Sequence, residues 1–186
     1  MRYVLRHKKT AAAIMFRMAF VIILGCSGID RKTVNLIGKP APTFSLPNAG
    51  GTTTSLGSYR GNVVFLRFWA DWCPYCREEM PVIETLWQEF RRQGLEVLAV
   101  NVKQSAKTAK GFMQSLRLTY PSALDSVGSV AGDYGVIGLP TTFIIDREGI
   151  VRDKVLGDLK ENTIRELIAP YVSLGNSTAT DSTGGA

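Results

Sequence analysis

The chain has 186 residues, 45% of them hydrophobic, so it can bury one ordinary hydrophobic core without added disulfides or metal ions. Its formal net charge of +6 would suit a nucleic-acid-binding protein, but the location of the charges excludes that class. Five of the 22 basic residues and none of the 16 acidic ones lie in residues 1–25, and the rest of the chain is close to neutral. The basicity belongs to an N-terminal segment and predicts no nucleic-acid partner.

Residues 1–25 predict an export signal, because a basic stretch is followed by an apolar one and then by small residues. The uninterrupted apolar run covers only residues 18–24, whereas about 20 apolar residues are needed to span a bilayer as a helix. The four residues Ile23, Leu24, Gly25 and Cys26 resemble the bacterial lipobox, in which cleavage before the cysteine leaves that thiol to carry lipid. We therefore expect lipid attachment at Cys26. An uncleaved signal anchor and a chance match are the alternatives.

Composition divides the chain into four regions. We expect a lipoprotein-type signal segment at 1–25, a tether at 26–37, a folded domain at 38–172 and a disordered tail at 173–186. The tail is rich in Ser, Thr and Gly and has no apolar period, which predicts disorder.

The first half of the domain shows alternating strands and helices. Asn62–Trp69 is a nearly continuous β-branched and aromatic run, typical of a strand covered on both faces. Pro74–Gln93 predicts a helix that ends at Gly94. Its apolar face consists of Val82, Ile83, Leu86, Trp87 and Phe90. Leu95–Val102 predicts a second buried strand, and Ala106–Leu116 predicts a second helix.

The second half predicts a hairpin and a closing helix. Thr141–Asp146 and Ile150–Leu156 are strand-like and flank a short turn that contains Gly149. Glu161–Tyr171 predicts a helix with an apolar inner face. The order strand, helix, strand, helix, strand, strand, helix predicts an α/β fold with a mixed central β-sheet and helices on both faces.

Two cysteines three residues apart fall at the start of the first predicted helix. A helix N-terminus presents unpaired N–H groups and about half a positive charge, and both stabilise a thiolate. We expect Cys73 to be the exposed attacking sulfur, and Cys76, one turn into the helix and more buried, to resolve the mixed disulfide. Pro74 suits the first helical position, and the pair Pro74 and Tyr75 limits how far the two sulfurs can separate.

A structural disulfide and a metal site are the alternatives to redox chemistry. A disulfide that closes so short a loop restricts the unfolded chain very little. A structural zinc needs two more soft ligands, but Cys26 lies in the predicted tether and His7 in the signal segment. We therefore expect a redox-active dithiol with no metal and no cofactor. In an oxidising compartment, such a dithiol stays reduced only if a partner keeps it so.

Several motifs resemble the thioredoxin superfamily. They are WADWCPYC around the two cysteines, the following helix with Pro81, and Gly138–Asp146 downstream. The segments Gly38–Leu46 and Leu56–Gly61 are similar to the TlpA/ResA-like branch, whose members are membrane-anchored extracytoplasmic thiol–disulfide oxidoreductases. The resemblance covers residues 38–171 and implies a thioredoxin-like fold.

The resemblance also implies roles for residues near the dithiol. Pro140 is expected to be a cis-proline that faces the two cysteines, with an ordinary turn proline as the alternative. Leu139 is then expected to pair its backbone with an incoming cysteine-containing peptide. Trp72 is expected to contact partners, and Trp69 to belong to the core.

The charged residues near the motif carry separate expectations. Glu78 and Glu79 are expected to complement the helix dipole, and Asp71 either biases the pocket or is a solvated loop acid. Arg67 departs from the family pattern, because many thioredoxins have a buried Asp six residues before the first cysteine and the TlpA/ResA-like branch often has an Asn.

Arginine cannot be deprotonated in proteins, so Arg67 cannot relay a proton. If its guanidinium lies under the helix, it would lower the pKa of a thiol and make the couple comparatively oxidising. A side chain that snorkels to solvent or pairs with an acid is the alternative.

The resemblance implies an enzyme that exchanges disulfides with cysteine-containing client proteins, and we expect it to act as a reductant. Cytochrome c maturation, with apocytochrome c as the client, is the leading task that the family implies. Electrons would come from a membrane thiol-transporting reductase. The protein would be held by its lipid anchor in the bacterial cell envelope and face the periplasm.

Two other functions are considered. A peroxiredoxin-like thiol peroxidase shares the GKPAPTFSL segment, but Ala70 stands where peroxiredoxins carry Thr and Leu66 where they carry Pro. The other is a non-enzymatic tethered module, either a chaperone or a copper carrier.

Overall fold

A computed structural model describes residues 34–48 and 50–172. The predicted signal segment with Cys26, most of the tether and the tail lie outside these residues. Within residues 34–48 and 50–172, no helix has both the length and the apolar character needed to cross a membrane.

A central mixed sheet organises the domain. A small antiparallel hairpin of β1 (Ser45–Pro47) and β2 (Thr53–Ser55) precedes it. The central strands are β3 (Val63–Trp69), β4 (Leu95–Val102), β5 (Ser122–Asp125), β6 (Thr141–Ile145) and β7 (Val151–Leu156). They lie in the order β5, β4, β3, β6, β7. The first three are mutually parallel, and β6 and β7 are antiparallel to their neighbours, which confirms the predicted mixed sheet.

Four α-helices accompany the sheet in residues 34–48 and 50–172. They are α1 (Pro74–Phe90), α2 (Ala106–Ser115), α3 (Ser129–Asp133) and α4 (Glu161–Val172). A short 3-10 turn, Arg91–Gln93, extends α1 to Gly94, which has a left-handed φ of 87° as predicted for a helix terminator. Ser105 caps α2 by accepting the backbone N–H of Thr108 over 3.1 Å.

The sequence analysis missed the hairpin of β1 and β2, and in the rest of the domain it missed β5 and α3. Both are too short to show a period, since β5 has four residues and α3 has five. Asp125, buried at the end of β5, accepts hydrogen bonds from the backbone N–H groups of Gly128 and Ala131. A side chain therefore holds α3 in place where helix propensity alone is weak.

The core has one half on each face of the sheet. In β3, Phe65 and Trp69 face α1, α2 and α4, whereas Leu66 and Phe68 face α3. All seven residues of β3 are buried, as expected of a central strand. The core also begins earlier than Gly38, because Leu36 is buried on the α3 side.

Candidate active site

The two cysteines lie where β3 leads into α1. Cys73 is the N-cap residue of α1, and Pro74 follows at the start of the helix, as the sequence predicts. The backbone N–H of Cys76 donates a hydrogen bond to Cys73 Sγ over 3.3 Å. The helix N-terminus therefore directs an N–H group at the first sulfur, where negative charge would develop on reduction.

Cys73 and Cys76 form a disulfide, with their Cα atoms 5.3 Å apart. Both residues are buried, and Cys73 is only 1% exposed. The prediction of an exposed Cys73 is therefore wrong for the disulfide form. Its sulfur is bonded to Cys76, and both side chains belong to the core half on the α1 side of the sheet.

Pro140 lies at the same edge of the sheet as the dithiol. The Leu139–Pro140 peptide bond is cis, and β6 begins directly after it. Thr141, the first residue of β6, pairs with Phe68 near the end of β3. Because Cys73 follows that same end of β3, the chain brings the cis-proline segment and the dithiol to one edge.

Exposed apolar side chains are concentrated along this edge. Among the described residues, five of the six large exposed hydrophobic side chains occur there. They are Trp72, Tyr75, Val127, Ile137 and Leu156, and we call them the apolar rim. They belong to segments that follow β3 and β5, precede β6 and end β7, and all these strand ends meet at one edge. Trp69, by contrast, is fully buried and stacks on Phe112, as expected of a core residue.

Arg67 is buried and ion-paired. It is 1% exposed, its guanidinium forms a salt bridge with Glu79, and it also donates a hydrogen bond to Thr142 Oγ1. Of the alternatives for Arg67, snorkelling to solvent is wrong and pairing with an acid is correct.

Glu79 is the acid that the sequence analysis misplaced. We expected it to complement the helix dipole, but it is only 5% exposed and pairs with Arg67. Glu79 lies three positions after Cys76, so both residues lie on the inner face of α1. Glu78, one position earlier, is exposed.

Burial and charge pairing act on both members of this pair. Burial raises the pKa of Glu79, and the Arg67 cation opposes that increase. Burial lowers the pKa of Arg67, and the Glu79 carboxylate opposes that decrease. Arginine stays protonated in proteins, and the contact between the two groups has the geometry of a buried guanidinium–carboxylate ion pair.

Asp71 anchors the loop before Cys73. Its backbone N–H donates to Gln104 Oε1 over 2.9 Å, and its carboxylate accepts a hydrogen bond from Gln104 Nε2. Asn101, near the end of β4, donates to the same Gln104 oxygen over 2.8 Å. Asp71 is therefore not a freely solvated loop acid. The sequence analysis assigned no role to Asn101 or Gln104.

These features define a class of protein. A mixed sheet that carries a Cys-Pro-Tyr-Cys disulfide at a helix N-terminus, beside a cis-proline, is the architecture of thioredoxin-like redox proteins. Among the described residues, no group of three or more His, Cys, Asp or Glu side chains is arranged to hold a metal ion.

Comparison with known proteins narrows this class. The AhpC/TSA family matches residues 37–154. Thiol-disulfide oxidoreductase ResA of Geobacillus thermodenitrificans is 34% identical over 166 residues, which cover 86% of this chain and 95% of the relative. ResA of Bacillus subtilis is 38% identical over 141 residues, which cover 74% of this chain and 79% of the relative. The chain belongs to the AhpC/TSA family of the thioredoxin superfamily, and within it to the ResA-like thiol–disulfide oxidoreductases.

Solved structures agree with this assignment. A crystal structure from Chlorobium tepidum, described as a thiol:disulfide interchange protein DsbE, has a TM-score of 0.70 and 32% identity. The match covers 73% of this chain and 97% of the Chlorobium tepidum chain. The StoA structure from Bacillus subtilis has a TM-score of 0.59 and 25% identity. The match covers 68% of this chain and 96% of the StoA chain. The protein is thus an enzyme that exchanges thiols and disulfides.

Proposed function

We propose that this protein is an extracytoplasmic, membrane-anchored reductant of disulfides in client proteins, with apocytochrome c as the leading client. The observation that carries the proposal is the Cys73–Cys76 disulfide at the N-terminus of α1, in a chain similar to ResA. Haem attachment to cytochrome c requires reduced cysteines, so an oxidising compartment needs a dedicated reductant.

The proposed reaction transfers two electrons. The Cys73 thiolate attacks a client disulfide, forms a mixed disulfide and releases one client thiol, which takes up a proton. Cys76 then loses its proton and attacks Cys73 Sγ, which releases the second client thiol. The client is reduced, and the protein is left with the Cys73–Cys76 disulfide.

Client docking is assigned to the edge that carries the dithiol. Trp72 and Tyr75 are 68% and 53% exposed, and both can cover apolar side chains of a client. Leu139 lies beside Pro140 at the same edge, where its backbone can pair with an extended client segment. The apolar rim adds Val127, Ile137 and Leu156, which the sequence analysis did not include.

Location and electron supply are also part of the proposal. The basic-then-apolar segment 1–25 and the lipobox-like residues ending at Cys26 support export and lipid anchoring. A membrane reductase that passes electrons through its own thiols would reduce the Cys73–Cys76 disulfide after each cycle.

A second candidate is thiol peroxidase activity, because the matching family is named AhpC/TSA. Two positions argue against it: Ala70 and Leu66 replace the Thr and Pro that peroxiredoxins carry before the reactive cysteine. Hydrogen peroxide consumption in the presence of dithiothreitol tests this candidate directly. Turnover of peroxide faster than turnover of protein disulfides would replace the first proposal.

Trapping of the mixed disulfide tests the proposed function. We expect Cys76→Ser, expressed in full-length form in its native envelope, to accumulate proteins disulfide-linked to Cys73, including proteins with haem-binding cysteine pairs. The matched control is Cys73→Ser, which should capture none. A non-enzymatic chaperone would keep its function in Cys73→Ser, and a copper carrier would be purified with metal on the dithiol. Either result would contradict the proposal.

A further inference from the structure

A buried ion pair lies one helical turn below the disulfide. Cys76 and Glu79 are three residues apart on α1, which places their Cβ atoms about 5–6 Å apart on one helix face. Arg67 reaches Glu79 from β3, on the strand face that also carries Phe65 and Trp69. The charges therefore lie between the central strand and the helix that presents the dithiol.

A buried ion pair such as this one is weak evidence of a gain in stability. Replacement of a buried ion pair by apolar residues of similar volume is often neutral or stabilising. Here Arg67 Nε also lacks a hydrogen-bond partner among the described residues. Buried, perturbed charges next to a reactive centre are a common feature of functional sites.

We propose that Glu79 cancels the charge of Arg67, so that a neutral pair, rather than a free cation, sets the electrostatic environment of the Cys73 and Cys76 thiols. This inference rests on the proposed function as a reductant. An uncompensated guanidinium would stabilise thiolates, and with them the reduced form, which makes a disulfide couple more oxidising. The ion pair therefore lets an arginine occupy this position while the couple stays reducing. Glu79 and Arg67 act through the cysteines and are positioning residues.

Two other titratable groups face the pair. Tyr120, between α2 and β5, acts on Arg67, and Asp158, between β7 and α4, acts on both members. Burial raises the pKa of Tyr120 well above its ordinary value, so this residue is neutral near pH 7. Asp158 is exposed. Both groups are unchanged in the variants below, so they do not affect the comparison.

The test uses the full-length chain in a Cys26→Ser background, so that Cys73 and Cys76 are its only thiols. Two quantities are measured: the pH dependence of thiolate ultraviolet absorbance, and the equilibrium with glutathione. In that equilibrium the disulfide takes two electrons and two protons from two glutathione thiols, which leave as glutathione disulfide.

Glu79→Gln should expose the cation of Arg67 with little change in side-chain size. We expect the lowest thiol pKa to fall by about one unit and the equilibrium constant for reduction by glutathione to rise about tenfold, which corresponds to about 30 mV. The double variant Arg67→Met, Glu79→Gln removes both charges. Its thiol pKa and equilibrium constant should return to within about twofold of the parent values.

The matched control is Glu89→Gln, which breaks the exposed ion pair between Glu89 of α1 and Arg165 of α4. It should leave both quantities unchanged. An unchanged thiol pKa and equilibrium constant in Glu79→Gln would overturn the inference. A double variant in which both quantities shift as far as in Glu79→Gln would also overturn it. If the double variant does not fold, the comparison of Glu79→Gln with Glu89→Gln decides the question.

This outcome is separate from that of the proposed function. A parent chain that exchanges no electrons with glutathione would refute the redox function itself. A parent chain that exchanges normally, with the same equilibrium constant in every variant, would refute only the role of the ion pair.

Discussion

The backbone N–H of Cys76 points at Cys73 Sγ and donates a hydrogen bond to it over 3.3 Å. This donor is fixed by the first turn of α1, so it is equally available to a Cys73 thiolate after reduction. Hydrogen bonds to an ionised acceptor are roughly twice as strong as those between neutral groups. The contact therefore favours the thiolate of Cys73 over its thiol.

We accordingly predict a low pKa for Cys73 in the reduced protein. In the variant Cys26→Ser, Cys76→Ser, the rate of alkylation by iodoacetamide should rise with pH around a midpoint below that of an ordinary cysteine, whose pKa is about 8.5. The control Cys26→Ser, Cys73→Ser leaves only Cys76, which lacks this N-cap position and should react more slowly. A midpoint for Cys73 at or above that of free cysteine would contradict the prediction.

The apolar rim predicts a difference between protein clients and small substrates. Ile137→Ser with Leu156→Ser should lower kcat/KM for a protein disulfide about tenfold, because about 1.4 kcal/mol of apolar contact is lost. Reduction of a small aromatic disulfide should be unaffected, since it needs only the dithiol. The matched control is Ile37→Ser. Ile37 is an exposed apolar residue near the start of β7, at the opposite edge of the sheet. Equal losses for both substrates would indicate damage to the dithiol instead.

Glu84 of α1 fixes the segment that leads into β5. Its carboxylate accepts hydrogen bonds from the backbone N–H of Thr119 over 2.7 Å and from the Thr119 hydroxyl over 2.6 Å. Burial acts to raise the pKa of Glu84, but hydrogen bonds from Gln88, Thr119 and Tyr120 outweigh it, so the pKa is lowered. A carboxyl group with a lowered folded-state pKa stabilises the fold above its unfolded-state pKa. That contribution is lost as the pH falls through the folded-state pKa.

Glu84→Gln should therefore destabilise the protein in a pH-dependent way. We expect a loss of about 1–2 kcal/mol in the free energy of unfolding at pH 7, measured by urea denaturation. The difference from the parent should be smaller at an acid pH below the lowered pKa of Glu84, where the parent carboxyl is itself protonated. A difference that is the same at both pH values would assign the effect to packing rather than to the charge.

Two glycines in different surroundings should respond in opposite directions to alanine. Gly94 has a φ of 87°, and a Cβ there would lie 2.6 Å from Arg147 Nη1, so Gly94→Ala should cost about 1–2 kcal/mol. Gly111 lies inside α2 with open space around its Cα, so Gly111→Ala should stabilise the protein by about 0.5–1 kcal/mol. Thermal unfolding of the two variants measures both effects, and a shift of the same sign in both would contradict the argument.

Local patterns in the sequence were sufficient for the main elements and for the dithiol. Continuous apolar runs marked β3 and β4, because central strands must be apolar on both faces. The capping geometry of Cys73 followed from its position before Pro74, since a helix start is decided by a few adjacent residues. The motifs around the cysteines and Pro140 were specific enough to indicate the family that the comparisons established.

Only tertiary packing decided which charged residues lie beside the dithiol, between β3 and α1. Periodicity identifies which side of a helix is buried, but it cannot name the residue opposite, and a charged side chain is ordinarily expected at the surface. Glu79 could be buried only because α1 crosses the strand position that carries Arg67, where each charge finds its counter-charge. The apolar rim likewise arises from strand order, which brings segments distant in sequence to one edge of the sheet.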